Sequence, residues 1–339
     1  MRAVLYSCFR NALFAAPPEV AHAAVLRALS LRAKMQSEVH PLRRGEVCAM
    51  GLRFDNPLGL AAGMDKDGIC IDGFGALGFG FIEVGAVTPL AQDGNPRPRV
   101  FRLQDALINR MGFNNCGAAQ MKINMTARKY RGIVGINLGK NAKTPPGQAA
   151  DDYVKSMREL YECGDFFTIN ISSPNTARLR KLQQAEELQK MLPKITDARD
   201  ELAKKHNRRA PLAIKISPDL DEDEIAAIAE VAAAMAMDGI IATNTTTSRP
   251  ANVREMRYAN EQGGLSGKPL RDISTAVIKQ LRKLLPRQIA IIGVGGIFDA
   301  DDAAEKLQAG AQLIQLYTAL IYRGPSLPQK IINTLPTNQ

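Results

Sequence analysis

A chain of 339 residues with 45% hydrophobic residues and a net charge of +10 is long enough for one large globular domain or two ordinary ones, and too apolar to stay disordered. Its five cysteines are odd in number and lack CxxC spacing, and its three histidines stand far apart, so neither a disulfide framework nor a zinc or other metal site is expected. No apolar run reaches about 18 residues, and Arg10 and Asn11 interrupt the short N-terminal apolar stretch, which argues against a membrane-spanning helix and a signal peptide.

In chain order, residues 2–15 and 18–34 read as two short helices, broken at Pro17-Pro18, with Pro18 and Glu19 suited to open the second. Leu5, Cys8, Phe9, Ala12 and Leu13 share one face of the first. His22, Val25, Leu26, Leu29 and Ala33 share one face of the second, with Arg27 and Lys34 opposite. Residues 1–45 carry +5, half of the net charge. Two readings stay open: a helical hairpin packed on a larger domain, or a pair lying on an anionic membrane surface. The basic excess has no interleaved aromatics, so nucleic acid is not an expected partner.

From about residue 56 strand-like and helix-like runs alternate. The strand-like runs are 58–62, 81–85, 133–138, 166–171, 212–217, 239–244, 289–294 and 313–317. Helical patterns cover 67–77, 117–129, 149–163, 185–205, 221–237, 271–285, 299–309 and 326–333. Eight strand–helix units over this length predict an α/β fold, a (β/α)8 TIM barrel, with a small N-terminal two-helix extension. The expected division is a helical segment 1–45 and a barrel 46–339. A doubly wound sheet would want GxGxxG after its first strand, and GLAAGMDKDG is not that.

In such barrels the active site is built where the strands end. Here those ends are Ala62-Gly63-Met64-Asp65-Lys66, Gly85-Ala86-Val87-Thr88, Asn137, Asn170–Ser173, Lys215, Thr243-Asn244-Thr245, Gly295-Gly296 and Tyr317-Thr318. Amides, hydroxyls and two lysines recur around one rim. The richest end is DFFTINISSPNT, 165–176, which places Asn170 in a buried run and Ser173, Asn175 and Thr176 on the loop beyond. Gly295-Gly296 is either a tight turn or a place where backbone N–H groups approach a phosphate.

These stretches resemble one family closely. AAGMDKDG, INRMGFNN, GINLGKN, INISSPNT, IKISPDL, IATNTT, GGLSGKPL and IIGVGGI are similar to the signatures of dihydroorotate dehydrogenase, over residues 1 to about 335. The N-terminal helices and Ser173 resemble the membrane-associated, quinone-reducing class. The soluble class lacks the helices and carries cysteine at the position of Ser173.

The resemblance implies oxidation of dihydroorotate to orotate in pyrimidine biosynthesis, with FMN as cofactor and a membrane quinone as acceptor. It implies an enzyme at the cytoplasmic face of the cell membrane, held peripherally, with no obligate protein partner. Ala62, Gly63, Met64, Asp65, Lys66, Ala86, Asn137, Asn170, Lys215, Thr243, Gly267, Gly296, Tyr317 and Thr318 would contact FMN. Lys66, Asn109, Arg110, Met111, Gly112, Phe113, Asn170, Asn175, Asn244 and Thr245 would hold the substrate, and Ser173 would be the base. His22, Val25, Leu26, Leu29, Arg102 and Tyr317 would line a quinone tunnel. Ala86 stands where relatives often have threonine, and Thr318-Ala319 where Ser-Gly is common. The segment before Ile108 is two residues shorter than in some relatives.

The residue types suit that chemistry on their own terms. Orotate is a ring of amides with one carboxylate, and asparagines both donate and accept. Lysine charge at the rim favours reduction of a flavin. A serine is a poor base without help, and a water ordered by Thr176 is the expected relay. A barrel passing electrons to a soluble acceptor, and a flavin-binding barrel without catalysis, are the alternatives; the helices argue against the first, and Ser173 with the amides against the second.

Overall fold

The computed structural model describes residues 2–176 and 178–336. Of the first-helix stripe, the side chains of Leu5 and Cys8 lie outside the described residues. Thirteen strands follow in chain order: β1 Val47–Ala49, β2 Leu52–Phe54, β3 Leu58–Leu60, β4 Phe81–Val87, β5 Val100–Leu103, β6 Ala106–Asn109, β7 Ile133–Leu138, β8 Phe166–Asn170, β9 Leu212–Ile216, β10 Gly239–Ala242, β11 Gly264–Gly267, β12 Ala290–Val294 and β13 Leu313–Leu316. Eight of them, β3, β4, β7, β8, β9, β10, β12 and β13, close into a parallel barrel in that order. It is the TIM barrel the alternating runs predict, and its eight strands are the eight runs.

The barrel interior is built in layers, because alternate residues of a strand face the same side. At its N-terminal end Phe54, Phe81 and Phe166 pack with Met50, Ala213 and Ile241. Glycines make the room: a Cβ on Gly59 would lie 2.2 Å from the Phe81 ring, and one on Gly135 would lie 2.1 Å from the Phe166 ring. One step up the strands the interior turns polar, with Glu83 two residues beyond Phe81, Asn137 two beyond Gly135 and Lys215 two beyond Ala213. Glu83, Asn137, Lys215 and Gln315 are all 5% exposed or less. An apolar floor under polar groups confines the chemistry to the C-terminal mouth.

Two additions lie outside the sequence reading. The hairpin β1–β2 closes the floor through a two-residue turn at Met50 and Gly51, both at positive φ (53° and 72°). That matches the right-handed twist of a two-residue hairpin. The other is an antiparallel sheet, β11–β6–β5, assembled from segments between β4 and β7 and between β10 and β12.

Helices α1 (Arg2–Ala15) and α2 (Pro18–Lys34) have the bounds that the proline break predicts. Tyr6 donates to the carbonyl of Ile321 at 2.7 Å, and Phe14 meets Tyr322 edge-on at 5.4 Å. Glu19 accepts from Arg99 at 2.9 Å, on the segment leading into β5. Within α2 only Ala21 and Ala33 are buried; His22, Val25, Leu26 and Leu29 are half-buried. On the face of α1 that Phe9, Ala12 and Leu13 share, Phe9 and Ala12 are exposed and Leu13 is half-buried. The helix between 67 and 77 shortens to α3, Ile71–Gly75, because the preceding residues fold around the Asp65 carboxylate, which accepts from the N–H groups of Ile69 and Cys70.

Candidate active site

A cavity opens at the C-terminal mouth of the barrel. Its wall includes Ala62, Gly63, Lys66, Ala86, Asn170, Ser173, Lys215, Thr243, Asn244, Thr245, Gly295, Gly296, Tyr317 and Thr318. The rim sheet and its loops add Asn109, Met111, Gly112, Phe113, Ser266 and Gly267, and the loop after β8 adds Asn175.

The amides form a connected row. Asn137 donates Nδ2 to Glu83 at 2.8 Å, and its Oδ1 accepts from Asn170 Nδ2 at 2.9 Å. Asn170 Oδ1 accepts from the Ser172 N–H at 3.3 Å and from Asn244 Nδ2 at 3.4 Å. On the facing side Asn175 Nδ2 donates to Asn109 Oδ1 at 3.2 Å, tying the loop after β8 to the end of β6. Ser173 is 6% exposed, and its Oγ accepts from the N–H of Asn175 at 3.3 Å. The hydroxyls of Thr176 and Thr245 are buried without a hydrogen-bond partner among the described residues. A buried orphan hydroxyl costs free energy unless a ligand or water completes it.

The cationic groups sit on opposite parts of the wall. Lys66 donates to the Gly63 carbonyl at 2.7 Å, and burial pulls its ammonium down to about 8, with Asp67 opposing. Lys215 is 5% exposed and makes no hydrogen bond or ion pair with any described residue. A buried ammonium without a counter-charge calls for an electronegative ligand. Gly296 lies at φ +74°, where a Cβ would stand 2.4 Å from Cα and 2.6 Å from N of Arg271. The loop is thus pressed onto the first residue of the helix Arg271–Leu284, whose N-terminal dipole favours an anion.

A second cavity, of about 410 Å³, lies between α1, α2 and the barrel. Its wall includes His22, Val25, Leu26, Leu29, Arg102 and Tyr317, all six residues of the expected tunnel. Lys66, Asn109, Met111 and Tyr317 line both cavities, so a wall one side chain thick separates them. Burial, then the nearby Lys66 charge, lower the His22 imidazole to about 4, so it is neutral at pH 7. Arg102 donates to the carbonyls of Phe14 at 3.1 Å and Ala16 at 2.8 Å, and its guanidinium stacks 4.6 Å from the Phe14 ring. It borders the cavity while holding the turn between the helices.

Four expected site residues stand off the first cavity. Met64 turns to the second. Asp65 is fully buried in its own loop, and burial pushes its carboxyl up to about 6. Asn137 sits one layer lower, beneath Asn170. Arg110 pairs with Glu261 at 2.6 Å and lies over the Phe101 ring at 4.6 Å, bracing the rim sheet. Motif position alone does not distinguish a residue that lines a site from one that supports it. Ser266 and Gln315, by contrast, line the cavity without having been singled out. The period-2 step from Tyr317 back to Gln315 on one face was the available signal.

A closed (β/α)8 barrel that gathers a lysine without a partner among the described residues, a row of amides and a glycine loop pressed on a helix N-terminus at one mouth has the form of a barrel enzyme. Residues 45–338 match the family described as dihydroorotate dehydrogenase. The chain is 51% identical over 336 residues to the dihydroorotate dehydrogenase (quinone) of Paraburkholderia xenovorans, covering 98% of each. It is 50% identical over 345 residues to that of Burkholderia pseudomallei, again covering 98% of each. Among solved structures it resembles Eimeria tenella DHODH in complex with ferulenol, with TM-score 0.86, 37% identity and coverage of 93% of this chain and 90% of that one. The chain belongs to the dihydroorotate dehydrogenase family.

Proposed function

We propose that this chain oxidises dihydroorotate to orotate, in pyrimidine biosynthesis, and passes the electrons to a membrane quinone. The observation that carries this reading is the pair of cavities, one polar and one apolar, sharing a single wall of four residues. FMN fits the first. Gly296 and the helix at Arg271 suit its phosphate, and Lys215 supplies charge that no described residue neutralises. The bound flavin would supply two-electron acceptance from the substrate and return of those electrons to a quinone.

The chain's own residues do the rest. Asn109, Asn170, Asn175, Asn244 and Thr245 orient the substrate through directional bonds, and Lys66 faces its carboxylate. Ser173 takes the proton from the substrate carbon beside the ring carbonyl. The orphan Thr176 hydroxyl is available to order a water next to it. Phe113, 9% exposed, helps keep bulk water out. Residues 1–45 act as the quinone-access segment and 46–339 as the catalytic barrel.

The outer surface of the helices suits a membrane interface. Phe9, Val20, Leu31 and Met35 are 64%, 59%, 56% and 88% exposed, and Arg27, Arg32 and Lys34 are beside them in sequence. No described helix is long and apolar enough to cross a membrane. The protein is then held peripherally on anionic lipid, on the cytoplasmic side, with the apolar cavity open to the quinone.

Val25→Arg tests the division of labour. An unpaired charge in an apolar channel costs several kcal/mol, so reoxidation by a long-tailed quinone should slow by about 10-fold or more. Flavin bleaching by dihydroorotate, followed anaerobically by stopped flow, should keep its rate. Equal slowing of both half-reactions would mean that the second cavity is not a separate route.

A further inference from the structure

Glu83 is a fully buried acid inside the barrel. Its side chain is fully buried on β4, one layer above the phenylalanine floor, and no Lys or Arg among the described residues is ion-paired to it. Its two oxygens are taken by two amides: Asn137 Nδ2 at 2.8 Å and Gln315 Nε2 at 2.7 Å. Both Glu83 oxygens are thus acceptors, whereas an amide can present either end. The carboxylate therefore dictates which end Asn137 turns down, and so which end it turns up.

The consequence travels along the row. With Nδ2 of Asn137 on Glu83, its Oδ1 faces Asn170 and obliges that residue to offer Nδ2, at 2.9 Å. Asn170 must then point Oδ1 toward the mouth, where Asn244 Nδ2 stands at 3.4 Å. Ser172 backs up this setting with two long bonds to the same oxygen, from its N–H at 3.3 Å and from its hydroxyl, which can also rotate away, at 3.2 Å. Rotating Asn137 or Asn170 by 180° exchanges donor for acceptor with almost no change of shape, whereas Asn244 is held locally, its Oδ1 accepting from the Thr245 N–H at 2.8 Å and its Nδ2 donating to the Ser172 hydroxyl at 2.9 Å.

We propose that Glu83 is a positioning residue that fixes the donor–acceptor polarity of Asn137 and, through it, of the substrate-reading Asn170, so that two side chains separate it from the substrate. The proposal rests on the reading that Asn170 and Asn244 hold the substrate. It assigns a role to a carboxylate that touches neither substrate nor quinone. Dihydroorotate and orotate present a fixed order of N–H and C=O edges, so a row locked in one polarity accepts them without first being reordered.

Replacing the carboxylate by an amide of equal size removes the dictation and keeps the volume. In Glu83→Gln, both polarities of the row are populated, and ligand binds only the productive fraction. The apparent Kd is then the intrinsic Kd divided by that fraction, while the bound state is unchanged. The Kd of orotate, measured by calorimetry on the flavin-loaded protein, and the KM of dihydroorotate should both rise by about 3- to 10-fold, which corresponds to a productive fraction of about one third to one tenth. The flavin reduction rate at saturating dihydroorotate should stay within about 2-fold of the parent. Glu83→Met, which accepts no strong hydrogen bond, should give the same split and serves if the glutamine variant does not fold.

An orotate Kd unchanged in both variants overturns the proposal. So does a fall in the saturating rate equal to the loss of affinity, which marks a general distortion of the site, or loss of the flavin, which places the effect of Glu83 on the cofactor. Asn244→Ala separates this inference from the reading beneath it. If Asn244→Ala weakens orotate and the Glu83 variants do not, only the polarity role fails. If Asn244→Ala also leaves orotate binding intact, the substrate site itself is misassigned, and the role of Glu83 falls with it.

Discussion

Ser173→Ala should leave a yellow protein whose flavin is reduced by dihydroorotate about 10²–10⁴ times more slowly than the parent's, the usual cost of losing a general base. The serine sits at the cavity wall on the loop after β8, 6% exposed. Its only hydrogen bond among the described residues is the one it accepts from Asn175 N–H at 3.3 Å. That bond leaves the hydroxyl hydrogen free to be handed on as the proton arrives. The Thr176 hydroxyl, three residues on, is buried without a partner among the described residues, and it is the proposed place for a relaying water. Ser173→Cys adds a pH test: a thiolate forms only as pH approaches about 8.5, so the variant should work at higher pH than the parent. A Ser173→Ala protein reduced at the parent rate would transfer the base to another group.

Gly296→Val should yield protein that is largely colourless after purification. At φ +74° a β-branched residue is strained, and the added Cβ would stand 2.4 Å from Arg271 Cα, a backbone atom that cannot swing away. Either the loop or the start of the helix Arg271–Leu284 must move, and both form the anion cradle. Riboflavin, lacking the phosphate, should bind the variant and the parent about equally, which separates loss of the phosphate contact from collapse of the barrel. Full FMN occupancy in Gly296→Val would put the phosphate elsewhere.

The barrel was legible because its strands are buried on both faces and therefore read as uninterrupted apolar runs, such as Ile291-Ile292 in β12. The hairpin Val47–Phe54 was not, since Met50-Gly51 carries no Asn-Gly or Asp-Gly signal and its strands have three residues each. The rim sheet was illegible for another reason. Asn109 of β6 pairs with Gly264 of β11, more than 150 positions away, and nothing local to either announces the other. Its discovery matters, because this sheet carries Asn109 to the mouth.

At the site, strand ends marked the lining residues well where the last inward position falls at the rim, as for Asn170 and Lys215. They misplaced Asn137, whose side chain points inward one layer too deep. Glu83 shows the complementary failure. An acid inside Phe81-Ile82-Glu83-Val84 is visible as a charge in a buried strand, yet no motif at a strand end includes it. Its partners Asn137 and Gln315 come from two other strands, and only closure of the barrel brings them together.

The central claim is that one site takes electrons from dihydroorotate and that the apolar cavity beside it delivers them to a quinone. It is tested most directly by anaerobic mixing of the yellow protein with dihydroorotate, followed by addition of a long-tailed quinone in detergent micelles. The flavin absorbance should bleach on the first addition, with orotate formed mole for mole, and return on the second. A flavin that stays oxidised in excess dihydroorotate would contradict the account at its root.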